Sequence, residues 1–318
     1  MSNQVFVITE HINGQFDDSS FEMLAMGREV ASATGGELVA VLMGHNQKDL
    51  ASQLGAADKV IYADHESLAN FNPQAHAKAA SAIVAANMPR VVLTAYSSQG
   101  MEMGPAISVS QNMPLLAYVS GISVSGGSLT VVSQLYGGKM NVESQTSAGH
   151  CVMSVLPGAA SADAGRKDGA PAIDDFAVDL GGLTIKFKQL IEPDKSDVDI
   201  TQQPILVSVG RGIQNSDNLP MVEELAAKLG GAVSCSRPIV DSKWMPKTRQ
   251  VGKSGLKVKP KLYLALGISG APEHIEGMKD AELIIAVNSD PKAPIFDFAH
   301  YGVEGDLFDI IPALTGKL

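Results

Sequence analysis

Between residues 4 and 97, short blocks of consecutive apolar residues alternate with longer segments in which apolar residues recur every three or four positions. The blocks QVFVITEH (4–11), GELVAVLMG (36–44), KVIYAD (59–64) and PRVVLTAYS (89–97) read as strands, because a continuous apolar run of this length suits a strand buried on both faces. The intervening segments 19–35, 46–55 and 73–88 carry helical periodicity, the last with an Ala-rich face. Such alternation implies βαβ units and a mostly parallel sheet. From Leu115 to Leu156 the pattern changes to β-rich runs with Gly-rich turns, so antiparallel strands are expected to extend or cover that sheet. After residue 204 the first alternation resumes. It predicts a strand and turn in ILVSVGRGI, a helix over 218–231 that ends in glycine, and strands in AVSCSR, KLYLALGIS and AELIIAVNSD. A helix is expected from Pro272 and a last one within GDLFDIIPALTG.

The fold class expected is therefore α/β with two domains, each a mostly parallel sheet flanked by helices, over 1–190 and 204–318. A chain of 318 residues with 45% hydrophobic content can bury two such cores. The acidic stretch between two prolines, IEPDKSDVDITQQP, supplies the expected interdomain linker, 191–203. Only two cysteines occur, Cys151 and Cys235, which argues against a disulfide framework or a CxxC metal site and favours a reducing compartment. No apolar run is long enough to span a membrane and the start of the chain has no charged leader segment, so a cytoplasmic protein without membrane insertion is expected.

Charge changes this picture because it is unevenly spread. Residues 1–203 carry 11 Lys+Arg against 21 Asp+Glu, whereas 204–318 carry 13 against 13. Within the second part, Arg237 to Lys261 holds eight cations and one acid, Asp241. On a protein of net charge -10 this is the footprint of a local anion site and not of a nucleic-acid surface. With one Trp, base stacking has little support.

Three motifs and two single residues give the anion site its candidates. In VGRGIQN (209–215) a strand turns into a loop through two glycines, with Arg211 in reach of a phosphate; Asn215 stands where a dinucleotide fingerprint has its third glycine, and an ordinary turn is the alternative. In GISGAPEHIEGM (267–278) a strand ends before Ser269 and Gly270, and Pro272 suits the first turn of a helix whose amides would seat a pyrophosphate. Ser269 lacks the GxSxG context of a nucleophile elbow. His274 falls in that first turn, where the positive dipole end disfavours imidazolium, so a largely neutral ring able to donate one hydrogen bond is expected, the alternative being a surface or packed histidine. SRPIVD (236–241) sets Ser236 beside Arg237, whose planar cation suits a phosphate or an electron-rich ring, the alternative being an ion pair with Asp241. Asn288 and Asp306 fall at the carboxyl edge of the sheet, where nucleotides bind, although each also suits a cap or a turn. The remaining histidines form no metal spacing.

Taken in order, GRG, SRPIVD, RQVGKSG, GISGAPEH, AVNSDPKAPIF and YGVEGDLF resemble the α subunit of electron transfer flavoprotein, strongly over 204–318 and loosely over 1–190. The resemblance implies a nucleotide-α-hydrolase-like domain at a subunit interface (1–190), a Rossmann-like FAD-binding domain (204–318) and a heterodimer with a β subunit. By matching position, Arg211, Ser236, Arg237, Val251, Gly252, Lys253, Ser254, Ser269, Gly270, Ala271, Pro272, Glu273, His274, Asn288, Asp306 and Leu307 would line the FAD site. The family carries electrons and catalyses no group transfer. Its donors are flavin dehydrogenases such as an acyl-CoA dehydrogenase; its acceptor is a membrane quinone reductase or another redox protein.

With those positions, Ser236, the 251–254 loop and the amides of 269–271 would hold the pyrophosphate, and Asn288 and Asp306 would face the adenosine half. Arg237 and His274 would lie toward N1 and the C2 carbonyl of the ring, and Ser254 toward N5, so that negative charge on the reduced ring is stabilised. Ser254 stands where the family often has Thr, Lys253 and Glu273 where it usually has Gln, and Pro272 where it has an apolar or small residue. A carboxylate at 273 would make the flavin potential more negative. Three other readings are a subunit of an electron-bifurcating flavoprotein, a self-contained nucleotide-dependent oxidoreductase or hydrolase, and a nucleotide-sensing protein without a redox role.

Overall fold

The computed structural model describes residues 2–136, 138–146, 150–191 and 198–318, and the chain divides into two compact units, up to Gln189 and from Leu190. Of the expected linker 191–203, residues 192–197 lie outside the described ones, as do 147–149 of the expected β-rich stretch.

The first unit is built on a nine-stranded sheet. Its strands are β1 (Val5–Ile8), β2 (Leu38–Gly44), β3 (Lys59–Asp64), β4 (Val91–Ala95), β5 (Leu115–Ser125), β6 (Ser128–Leu135), β7 (Met140–Thr146), β8 (Cys151–Val155) and β9 (Ala172–Asp175). They lie in the order β9-β3-β2-β1-β4-β8-β5-β6-β7, parallel from β9 to β5 and antiparallel through β5-β6-β7. The antiparallel strands thus extend the sheet, while β8, in the same stretch of sequence, returns to its parallel centre beside β4. Alternate residues of β1 enter opposite cores: Val5 and Val7 face α1 (Asp18–Thr34), and Phe6 and Ile8 face α2 (Pro73–Asn87) and α3 (Gly100–Gln111). Helix α1 starts on Asp17, whose side chain accepts from the Ser19 amide, and stops at Gly35 in the left-handed region.

Two segments of this unit differ from expectation. The segment 46–55 closes as a 3₁₀ turn over Lys48–Gln53, because it is too short to repay helix nucleation and Leu54 bridges to Lys167 instead. Helix α3 was not predicted, since Gly100, Gly104 and Pro105 break its propensity. Packing explains it. A Cβ on Gly100 would stand 2.0 Å from the Ala95 carbonyl oxygen and one on Gly104 2.9 Å from Thr94 Oγ1, so the two glycines let α3 lie directly on β4.

The second unit has five parallel strands: β10 (Ile205–Val209), β11 (Ala232–Cys235), β12 (Leu262–Leu266), β13 (Leu283–Asn288) and β14 (Tyr301–Glu304). Their order is β11-β10-β12-β13-β14, a doubly wound sheet whose chain reverses direction between β10 and β12. Helices α4 (Leu219–Leu229) and α7 (Leu307–Thr315) cover one face through Val222, Leu225 and Ile311, and α6 (Pro272–Met278) covers the other through Ile275 and Met278. A five-residue helix, α5 (Arg237–Asp241), follows β11. Strand β14 was not predicted, because all four of its residues are exposed and carry no apolar run. Among the described residues no helix is long and apolar enough to cross a membrane.

Candidate functional site at the carboxyl edge of the second sheet

Parallel sheets bind ligands beyond the carboxyl ends of their strands, at the point where strand order reverses. In the second unit that point lies where Gly210 and Gly212, after β10, meet Gly267, after β12. Backbone bonds Gly210 N–H to Leu266 O (2.9 Å) and Gly212 N–H to Gly267 O (3.1 Å) lock the two loops. A Cβ on Gly210 would come 2.4 Å from the Gly267 oxygen, so side chains are excluded here and Arg211 is pushed outward, exposed.

Most of the sequence-predicted residues follow the carboxyl end of one strand or another. Ser236 and Arg237 follow β11, Ser269 to His274 follow β12, Asn288 ends β13, and Asp306 and Leu307 follow β14. Residues 251–254 come from a longer excursion, yet they are tied into the same edge: Val251 N–H donates to Cys235 O (2.9 Å) and Lys253 N–H to Glu273 O (2.7 Å). Glycine makes that docking possible. Gly252 has φ 138°, and a Cβ on Gly277 of α6 would stand 2.4 Å from the Gly252 nitrogen. Gly270, φ 88°, is as constrained, with its Cβ position 2.3 Å from the Ile295 nitrogen.

Apart from the half-buried Asn288, the residues sort into two groups. Arg211, Arg237, Lys253, Ser254, Ser269, Ala271, Pro272, Glu273 and Asp306 are exposed, whereas Ser236, Val251, Gly252, Gly270, His274 and Leu307 are buried. Val251 and Leu307 are core side chains, 1% and 4% exposed, so only their backbones face the edge. Arg237 Nε lies 3.4 Å from Asp241 Oδ2, the ion pair that was the alternative reading, but both partners are well exposed and such a pair holds loosely. Ser254 Oγ accepts from Gln250 Nε2 at 2.9 Å, which uses an acceptor side of the hydroxyl and leaves its proton for donation. Asn288 and Asp306 have structural work as well. Asn288 Nδ2 donates to Ile268 O and Asp306 caps α7 by accepting from the Phe308 amide, each at 2.9 Å.

His274 is turned inward. It is 6% exposed, its Nε2 lies 2.9 Å from the Tyr263 hydroxyl, and burial lowers its pKa to about 4, against a smaller upward pull from the Val251 backbone. The expectation of a neutral ring thus has a different cause from the one anticipated. Helix α6 has only seven residues, so desolvation and not a helix dipole keeps the imidazole uncharged. The same shortness means that anions at this edge depend on individual amides and on Arg211, Arg237 and Lys253.

The structure also divides the cationic run. Arg237 and Lys253 stand at the carboxyl edge, but Lys261 N–H bonds to Pro204 O, before β10, and therefore marks the amino edge. Arg249 Nη1 is committed to Val233 O at 2.7 Å. Sequence reasoning did not single out Gln250, Ser208 or Tyr263, although polar residues inside otherwise apolar strands were a usable signal for the last two.

FAD carries two phosphates and an amphipathic ring. A set of loops closed by glycines, with three exposed cations and a hydroxyl proton at one edge, fits such a group. Comparison with known proteins agrees. Residues 5–180 match the model of the electron transfer flavoprotein domain, and 199–279 that of the electron transfer flavoprotein FAD-binding domain. The electron transfer flavoprotein subunit alpha of Clostridium acetobutylicum is 34% identical, aligned over 99% of this chain and 96% of its own. The acryloyl-CoA reductase electron transfer subunit beta of Anaerotignum propionicum is also 34% identical, over 99% and 95%. The lactate dehydrogenase (NAD(+),ferredoxin) subunit LctC of Acetobacterium woodii is 32% identical, over 98% and 75%. With both family models matched along most of its length, the chain belongs to the electron transfer flavoprotein family as an α-type subunit, an electron carrier whose cofactor is FAD.

Proposed function

We propose that the chain pairs with a β subunit, holds FAD at the carboxyl edge of its second sheet, and passes electrons from a flavin dehydrogenase, such as an acyl-CoA dehydrogenase, to a quinone reductase or another acceptor. The observation that carries this reading is the convergence of five loops on one edge through Gly210, Gly252, Gly267 and Gly270, at positions where a Cβ would collide with backbone. FAD supplies reversible acceptance of electrons; the chain supplies binding and electrostatics. Ser236, the 251–254 backbone and the amides of 269–271 hold the pyrophosphate, with Arg211 and Lys253 as counter-charges. Asn288 and Asp306 face the adenosine half. Arg237 would stand toward N1 and the C2 carbonyl of the ring, where a cation that cannot be deprotonated favours added negative charge. Ser254, whose oxygen already accepts from Gln250, would donate a hydrogen bond toward N5.

The test is to prepare the chain with its β partner, record the visible spectrum and titrate it reductively. A yellow complex whose flavin is lost or weakened when Arg237 or Ser254 is replaced supports the reading. A colourless complex that takes up no FAD refutes it. The name of the A. woodii relative, which gives both NAD(+) and ferredoxin, favours a second reading, in which the chain serves an electron-bifurcating assembly. Two flavins per αβ pair would select that reading and one would reject it.

A further inference from the structure

Gln250 follows the 3₁₀ turn Lys247–Arg249 and begins the loop that carries Lys253 and Ser254. Glutamine side chains are mostly exposed, yet this residue is 4% exposed, and a buried amide is destabilising unless it is hydrogen-bonded. The structure shows what the amide does there. Its Nε2 donates to Ser254 Oγ at 2.9 Å, so a buried side chain reaches from the base of the loop to its exposed tip.

The loop is folded around that side chain. Gly255 N–H donates to Gly252 O at 2.9 Å, closing a turn with Lys253 and Ser254 at its centre. At the base, Leu256 N–H donates to Gln250 O at 2.8 Å, Gln250 N–H to Lys247 O at 3.0 Å and Val251 N–H to Cys235 O at 2.9 Å, so the amide hangs from a fixed backbone. A Cβ on Gly255 would stand 2.3 Å from Gln250 O and 2.9 Å from Gln250 Cγ. Glycine is what lets the chain return this closely over the glutamine.

A serine hydroxyl on an exposed turn otherwise has three rotamers and a proton that swings toward any acceptor. The Gln250 amide removes that freedom. Its N–H occupies an acceptor site of Oγ on the side facing the loop and repels the hydroxyl proton from that side, so the proton points out of the loop. An amide oxygen in the same place would draw the proton inward and leave lone pairs outward.

We propose that Gln250 is a positioning residue: by donating to Ser254 Oγ it fixes that hydroxyl as an outward hydrogen-bond donor at the carboxyl edge. The consequence for the cofactor rests on the FAD reading, in which Ser254 faces N5. Gln250 acts through Ser254 alone. Being neutral, it sets the direction of a hydrogen bond without adding charge beside the ring.

The test loads the αβ complex with FAD carrying ¹⁵N at N5 and reads the N5 resonance of the oxidised flavin, which moves when a hydrogen bond to it is lost. Ser254→Ala gives the position without that bond. Gln250→Glu keeps the shape of the side chain but, ionised, can only accept, so it turns the Ser254 proton inward; its N5 signal is expected to coincide with that of Ser254→Ala. Gln250→Met frees the hydroxyl and is expected to give an intermediate N5 signal, with the FAD dissociation constant raised about fivefold. In a Ser254→Ala background neither change at Gln250 is expected to move N5 further. A glutamine that merely fills the loop predicts a harmless, isosteric Gln250→Glu. An N5 signal unchanged by both substitutions, or moved by them equally with and without the Ser254 hydroxyl, overturns the proposal. Should Gln250→Glu fail to fold, Gln250→Met with and without that hydroxyl decides. Failure of the FAD reading is distinguishable: it appears before any change at Gln250, as an unmodified complex without flavin or an N5 signal that Ser254→Ala does not move, and it overturns the proposal too.

Discussion

At the carboxyl edge of the first sheet, the place between β1 and β4 where strand order reverses is occupied by the protein's own carboxyl group. Glu10 follows β1 and is 5% exposed; its Oε2 accepts from Ser97 Oγ at 2.6 Å, and its Oε1 lies over Gly100 at the start of α3, 2.9 Å from where a Cβ would be. Ser97 Oγ in turn accepts from the Gln99 and Gly100 amides at 3.1 and 2.9 Å. At the corresponding place in the second sheet no acid among the described residues is buried; Glu273 and Asp306 stand exposed. Glycines close the loops, and Arg211, Arg237 and Lys253 stand exposed around them. Two sheets of the same architecture thus differ in what their edges offer an anion. Residues 1–203 also carry the whole excess of negative charge, which strengthens the contrast.

The largest effect is expected where the second edge is most crowded. Gly270→Val forces a β-branched side chain to φ 88° with its Cβ 2.3 Å from the Ile295 nitrogen, and should destabilise the second unit by more than about 3 kcal/mol. Chemical denaturation would show this, and flavin retention should be lost with it.

Next comes Glu10, which sharpens the comparison from the other side. Burial first, and the charge of Asp17, raise its pKa from 4.5 to about 7, against the opposing hydrogen bonds of Ser97 and the Gly100 backbone. The folded state therefore holds this proton more tightly than the unfolded chain does. Its contribution to stability is full below pH 4.5 and is lost as pH rises through about 7, a change of about 3 kcal/mol. Glu10→Gln should flatten that dependence, so that denaturation midpoints at pH 5 and pH 8 differ less than in the unmodified protein. FAD content should not change.

Arg237→Ala should lower the flavin potential by on the order of 30–60 mV, a modest figure because the guanidinium is exposed and screened. A reductive titration with a reference dye measures it, and an unchanged potential removes Arg237 from the ring. The smallest effect belongs to Lys261→Ala. This lysine sits in the cationic run by sequence but at the amino edge by structure, so FAD affinity should stay within about twofold. A larger loss would mean that the run acts as one field.

How much of this was legible in the sequence depended on whether the signal was local. The central strands were readable because burial makes them nearly continuous apolar runs, as in LVAVLMG and LIIAV. Helix α3 and strand β14 were not, since one is stabilised by glycine contacts with a distant strand and the other is an exposed edge held by backbone pairing alone. The loops of the second edge announced themselves through glycines and cations at strand ends. Ser208 and Tyr263 were marked only as polar residues inside otherwise apolar strands, and nothing local marked Glu10, in the first unit, as a buried acid. The cationic run misled in part, because its lysines travel from one edge of the sheet to the other within a few residues.

The central claim is that the second edge, and not the first, receives the cofactor. Hydrogen exchange of the αβ complex with and without FAD tests it most directly. Protection by FAD is predicted at 211–213, 236–237, 251–254 and 269–274, with none at 9–12 or 96–100. Protection at the first edge, or none at the second, would contradict it.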